Sequence, residues 1–93
     1  FNPDAVMTRA DAMQLLANVL TYQGRAGTEM SANEVMSNIS YFPDAERVPA
    51  NRRRAAAICV RAGLVQGDEN GLRPDDAFTR AEFAKIVLSI AEN

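Results

Sequence analysis

Residues 1–20, FNPDAVMTRADAMQLLANVL, and residues 72–91, LRPDDAFTRAEFAKIVLSIA, are two versions of one segment. Superposed without a gap, they share Pro3/Pro74, Asp4/Asp75, Thr8/Thr79, Arg9/Arg80 and Ala10/Ala81, and Asp11/Glu82 is a conservative match. The apolar positions agree as well: Ala12, Leu15, Leu16 and Val19 lie over Phe83, Ile86, Val87 and Ile90. Each set is spaced i, i+3, i+4, i+7, which is one face of an α-helix. Identities in phase with the helical period mark a duplication. A chain built this way must fold one unit twice and bury both apolar faces in a shared core.

Each copy carries its own start signal. Pro-Asp makes a turn, an apolar residue follows (Met7 or Phe78), and a Thr then stands at the N-cap. Thr79-x-x-Glu82 is a capping box, and Thr8-x-x-Asp11 is its shorter form; hydroxyl and carboxylate each accept from an orphan N–H of the first turn. Met7 and Phe78 are expected as hydrophobic staples against Ala12 and Phe83. The signals predict helices over about 9–22 and 80–91, the first ended by Gly24.

Two further helices are expected between the copies. Ser31-x-x-Glu34 is another capping box, and Ala32, Val35, Met36 and Ile39 form its apolar face. Farther on, Pro49 suits a first helical turn, and Ala55, Ile58, Cys59 and Ala62 form a stripe that stops at Gly63. Residues 64–78, with Gly67, Gly71 and Pro74, read as a structured loop in which 64–66 and 71–72 could pair briefly. The expected fold is all-α: about four short helices, a structured Gly/Pro loop and no real sheet.

Composition narrows the chemistry. The 93 residues include no His and a single Cys, so neither a Ser-His nor a Cys-His nucleophile pair can be built, and zinc would find one soft ligand. The chain is read as non-enzymatic, without metal or cofactor. Cys59 is expected to be a buried small apolar residue. The net charge of -2 argues against a nucleic-acid binder, and Arg52-Arg53-Arg54 is expected to be a solvated helix face, with a border to a binding groove as the other option. Asp68-Glu69-Asn70-Gly71 lacks the ligand spacing of a calcium loop and reads as a turn. No apolar run approaches the roughly 20 residues that cross a bilayer, so no membrane insertion is expected. Lacking an initiator Met and a signal peptide, the chain reads as an excised or processed piece.

Taken in order, residues 42–91 resemble a complete S-layer homology repeat. The matching elements are Phe42-Pro43-Asp44, the helix around 50–62, Gly63-Leu64-Val65-Gln66-Gly67, Asn70-Gly71-Leu72-Arg73-Pro74 and Thr79-Arg80-Ala81-Glu82. Residues 1–22, through Thr8-Arg9-Ala10-Asp11, resemble the second half of a preceding repeat. The expected organisation is therefore a half repeat at 1–24, a connecting segment with a short helix at 25–41, and a complete repeat at 42–93. Three positions depart from the family pattern. Asn51 stands where a Trp is usual, Leu72 replaces the aromatic before Pro74, and Asp11 replaces Glu.

The resemblance implies a secreted bacterial module at the cell surface or cell wall that binds a pyruvylated secondary cell-wall polysaccharide without covalent attachment. It implies Arg80, Glu82, Arg9, Asp11, Gly67 and Gly71 as the ligand-binding residues, with Thr8 and Thr79 as helix caps. An Arg fork beside helix N-terminal N–H groups suits a carboxylate. The other reading of each box Arg is an ion pair with the preceding turn, Asp4 or Asp75 and Asp76. Neighbouring repeats or self-association are expected to cover any apolar face left open. A structural or protein-interaction module that has lost glycan binding stands as the alternative.

Overall fold

The computed structural model describes residues 6–24, 29–65 and 71–92. Four helices carry the fold: α1 (Arg9–Tyr22), α2 (Ala32–Ile39), α3 (Arg53–Arg61) and α4 (Arg80–Glu92). Single 3-10 turns at Ala45–Arg47 and Ala50–Arg52 lead from α2 into α3. Two three-residue strands, β1 (Val6–Thr8) and β2 (Ala77–Thr79), precede α1 and α4. Among the described residues no helix is long and apolar enough to cross a membrane.

Local chemistry sets the helix limits. The Thr8 hydroxyl accepts from Asp11 N at 3.1 Å, and Gly24, at φ +68, follows the C-cap Gln23 of α1. At α2 the Ser31–Glu34 box closes both ways, each hydrogen bond 3.2 Å long. At α4, Thr79 Oγ1 accepts from Glu82 N at 3.1 Å while Thr79 N donates to Glu82 Oε1 at 3.1 Å. α3 has no side-chain N-cap; the 3-10 turn starting after Pro49 leads into it, and Arg53 Nε donates to Val48 O at 3.1 Å across that turn.

α3 lies against both α1 and α2, and the core forms around it. Ala55, Ala56, Ala57, Ile58 and Cys59 are all buried, together with Val35 and Ile39 of α2. A run of Ala lets the helices approach closely: the Cys59 thiol reaches the Met13 carbonyl of α1 at 3.3 Å.

The face of α1 differs from the expectation. Its buried residues are Ala10, Ala12, Met13, Leu16, Ala17 and Leu20, while Leu15 is 44% exposed. Leu15 and Leu16 widen the apolar stripe enough for two docking sides, and α3 takes the side where Met13 and Ala17 admit the small side chains of α3. In α2 and α3 the expected stripes are also narrower. Ala32, Met36 and Ala62 are exposed, since each lies at the margin of its helix's buried face. On α4, Ile90 is buried and Phe83, Ile86 and Val87 are half-buried against the core.

The sheet consists of one ladder. β1 and β2 pair antiparallel, with Val6 opposite Thr79, Met7 opposite Phe78 and Thr8 opposite Ala77. Met7 and Phe78 are therefore partners of each other across the two copies, beyond any local staple. The pairing expected between 64–66 and 71–72 runs into residues 66–70, which lie outside the described residues.

Candidate functional site

The two boxed arginines have unlike surroundings. Arg9 is half-buried: its Nε donates to Leu72 O at 2.9 Å, and its guanidinium carbon lies 5.8 Å from the Phe78 ring centroid. The first N–H groups of α1 are occupied too, because Arg9 N donates to Asp76 O at 2.9 Å and Ala10 N to Pro74 O at 3.0 Å. The N-terminus of α1 is thus satisfied by carbonyls of the second copy. Arg80 is exposed on the first turn of α4, at the edge of a groove of about 450 Å³ lined by Met7, Leu15, Phe83, Ala84, Val87 and Leu88.

The acids of the two boxes also differ. Glu82 closes its capping box, and hydrogen bonds from Thr79 hold its carboxyl below the usual range, with smaller help from Arg9 and Lys85. Asp11 instead pairs with Arg52 at 3.5 Å.

Gly71 sits at φ +96, and a Cβ there would collide with the Asp44 carboxylate. That carboxylate accepts from Leu72 N at 2.8 Å and from Arg73 N at 2.7 Å. Arg73 follows in the left-handed region at φ 52 and reaches Asp76 at 3.7 Å. Asp44 thereby clamps the turn that hands its carbonyls to Arg9 and to α1. Around it, Asp44, Arg47, Arg73, Pro74, Asp75 and Asp76 line a polar cleft of about 460 Å³. Asp44 was legible as part of Phe42-Pro43-Asp44, but nothing in the sequence indicated which backbone it would hold. Gly67 lies outside the described residues, as do Asp4 and the segment 68–70.

The arginine cluster is only in part the solvated face expected: Arg54 is exposed, while Arg52 and Arg53 are half-buried. Arg53 Nε binds Val48 O, Arg54 Nη1 donates to Met30 O at 2.7 Å, and Arg52 meets Asp11, so each guanidinium is held by its own chain. Asn51 and Arg54 border a smaller groove of about 290 Å³ shared with Gln14, Asn18 and Thr21 of α1. Cys59 is buried, and desolvation pushes its thiol up to about 12. A thiol so held is protonated at neutral pH and cannot serve as a nucleophile.

The fold and site define a small helical repeat module whose polar groups serve mainly to fix turns and helix ends. The family model of the S-layer homology domain matches residues 41–84, from the residue before Phe42 through the Thr79–Glu82 box into α4. Residues 41–84 are thus similar to that family, whose members are non-catalytic anchoring modules associated with cell-wall polymers at the bacterial cell surface. No curated protein and no solved structure matches the chain.

Proposed function

We propose that the module anchors its protein at the cell wall by binding an anionic, pyruvylated secondary cell-wall polysaccharide non-covalently. The observation that carries this reading is the exposure of Arg80 on the first turn of α4, within the segment that matches the family. A ketal-linked pyruvate presents a carboxylate, and a guanidinium offers it two parallel donors near the positive end of a helix. Glu82 holds the box that positions Arg80, and Gly67 and Gly71 are the sequence positions proposed to let the backbone approach the sugar. Arg9 and Asp11 are the corresponding pair for the neighbouring groove. The proposed organisation is a half repeat at 1–24, a connecting segment at 25–41 and a complete repeat at 42–93.

A second reading has its own support. Arg9 spends its guanidinium on Leu72 O and Phe78, and Asn51 offers no ring to stack on a sugar. A module using both boxes for internal contacts would be structural and would bind no polymer. Pull-down with native cell-wall sacculi, with and without chemical removal of pyruvate, separates the two. Retention that disappears with the pyruvate supports anchoring; absence of retention on native sacculi supports the structural role.

A further inference from the structure

A single peptide unit connects Asp44 to Arg9. Asp44 Oδ1 accepts from Leu72 N at 2.8 Å, and Asp44 Oδ2 accepts from Arg73 N at 2.7 Å. The Arg73 N–H and the Leu72 C=O belong to one planar unit, and in a trans unit they point in opposite directions. On the carbonyl side, Leu72 O accepts from Arg9 Nε at 2.9 Å. A carboxylate, one peptide and a guanidinium therefore stand in series.

The series does more than hold a turn. A charged acceptor on an N–H polarises the peptide and strengthens its carbonyl as an acceptor. The plane of the unit also sets where the carbonyl aims, and so where the guanidinium lies. The Phe78 ring limits the same group from another side, with the Arg9 guanidinium carbon 5.8 Å from its centroid. Nε is thereby used, and the Nη1–Nη2 edge is the pair of parallel donors that remains. Among the described residues that edge makes no hydrogen bond. Arg80, the equivalent residue of the second copy, is exposed, and among the described residues no hydrogen bond or ring contact holds its guanidinium.

We infer that Asp44 is a positioning residue for carboxylate binding: through the Leu72–Arg73 peptide it presets Arg9 so that the Nη edge meets a polymer carboxylate end-on. This role rests on the anchoring reading, since it acts only where such a carboxylate is bound. A guanidinium fixed in advance loses less side-chain freedom when its ligand arrives. Arg9 thus contributes to affinity through preorganisation, and Arg80 without it. The internal contacts of Arg9 occupy one edge and one face and leave the fork open.

Double-substitution cycles, read as affinity for native cell-wall sacculi at a temperature where melts show every variant folded, test this role. Asp44→Asn keeps the shape of the side chain but exchanges one acceptor oxygen for a donor, so one of the two hydrogen bonds is lost. It should weaken binding about fivefold in the otherwise unchanged chain, and about fivefold again in the Arg80→Ala background. In the Arg9→Ala background it should weaken binding by less than about twofold. Asp44→Ser and Phe78→Leu, which loosen the two holds on Arg9 in other ways, should repeat the pattern. A role confined to stability would weaken all three backgrounds alike. That result, or unchanged binding by Arg9→Ala, overturns the positioning role and leaves Arg80 as the carboxylate site. No retention of the unchanged chain on native sacculi overturns the anchoring reading, and this role with it.

Discussion

Met7 and Phe78 stand opposite each other in an antiparallel pair, and they are the same position of a duplicated segment. This contact joins two stretches 71 residues apart along the chain. It also fixes which side of each boxed helix faces the rest of the molecule. Around it carbonyls of the second copy accept from the first: Asp76 O and Pro74 O from the α1 amides, and Leu72 O from Arg9 Nε.

The turn that supplies those carbonyls depends on Gly71. Gly71→Ala places a methyl into the Asp44 carboxylate at a φ that disfavours a side chain. It should cost about 2 kcal/mol or more, because strain and the disturbed Asp44 hydrogen bonds act together. Asp44→Ala should be destabilising to a similar degree. Thermal melts of both variants check this, and a Gly71→Ala midpoint equal to wild type would contradict the clamp.

The rotated face of α1 gives a paired comparison. Leu16 is 1% exposed and Leu15 is 44% exposed. Leu16→Ala should cost about 2–5 kcal/mol, whereas Leu15→Ala should cost less than about 1 kcal/mol. Denaturant titration of the two variants gives the order directly. The reverse order would return the core to the face expected from the repeat alone.

Capping makes stability depend on pH. The carboxyls of Glu34 and Glu82 are lowered chiefly by hydrogen bonds from Ser31 and Thr79. A lowered folded pKa means that the contribution is present above the unfolded carboxylate pKa and is lost as pH falls through the folded value. Thr79→Ala removes an N-cap and should cost about 1 kcal/mol at neutral pH. The gap between wild type and Thr79→Ala should narrow on acidification below the usual Glu range. A gap constant from pH 7 down to pH 2, on the order of five units of titration, would show that the hydrogen bond from the Thr79 hydroxyl to the Glu82 carboxylate contributes nothing.

Much of the fold was legible because the signals are local. Thr8, Ser31 and Thr79 each stand three residues before an acid, and α1, α2 and α4 begin where those boxes say. Gly24 and Gly63 end helices at positive φ, as their positions indicated. What was illegible depends on distant contacts. Leu15 and Leu16 are equally apolar, and only the placement of α3 decides between them. The β1–β2 ladder joins two stretches of three residues each, too short to show a strand period, and each finds its partner only in the distant copy. Arg52, Arg53 and Arg54 look like a solvated charge run, but their partners, Asp11, Val48 O and Met30 O, are brought to them by the fold. Arg9 and Arg80 occupy identical motifs, and only the structure separates a half-buried arginine from an exposed one.

Cys59 offers a direct probe of core integrity. With its thiol buried and pushed up to about 12, it should resist thiol reagents at mildly alkaline pH and react once the chain is unfolded. Rapid labelling of the native protein would place it outside the core.

The central claim is tested most directly by the binding of Arg80 variants to native sacculi. Arg80→Lys keeps the charge but loses the planar pair of donors, while Arg80→Ala loses both. The account predicts that Arg80→Lys weakens binding clearly and that Arg80→Ala weakens it by about tenfold or more, with melting midpoints close to wild type because Arg80 is exposed. Equal binding by wild type, Arg80→Lys and Arg80→Ala would contradict a carboxylate site at Arg80.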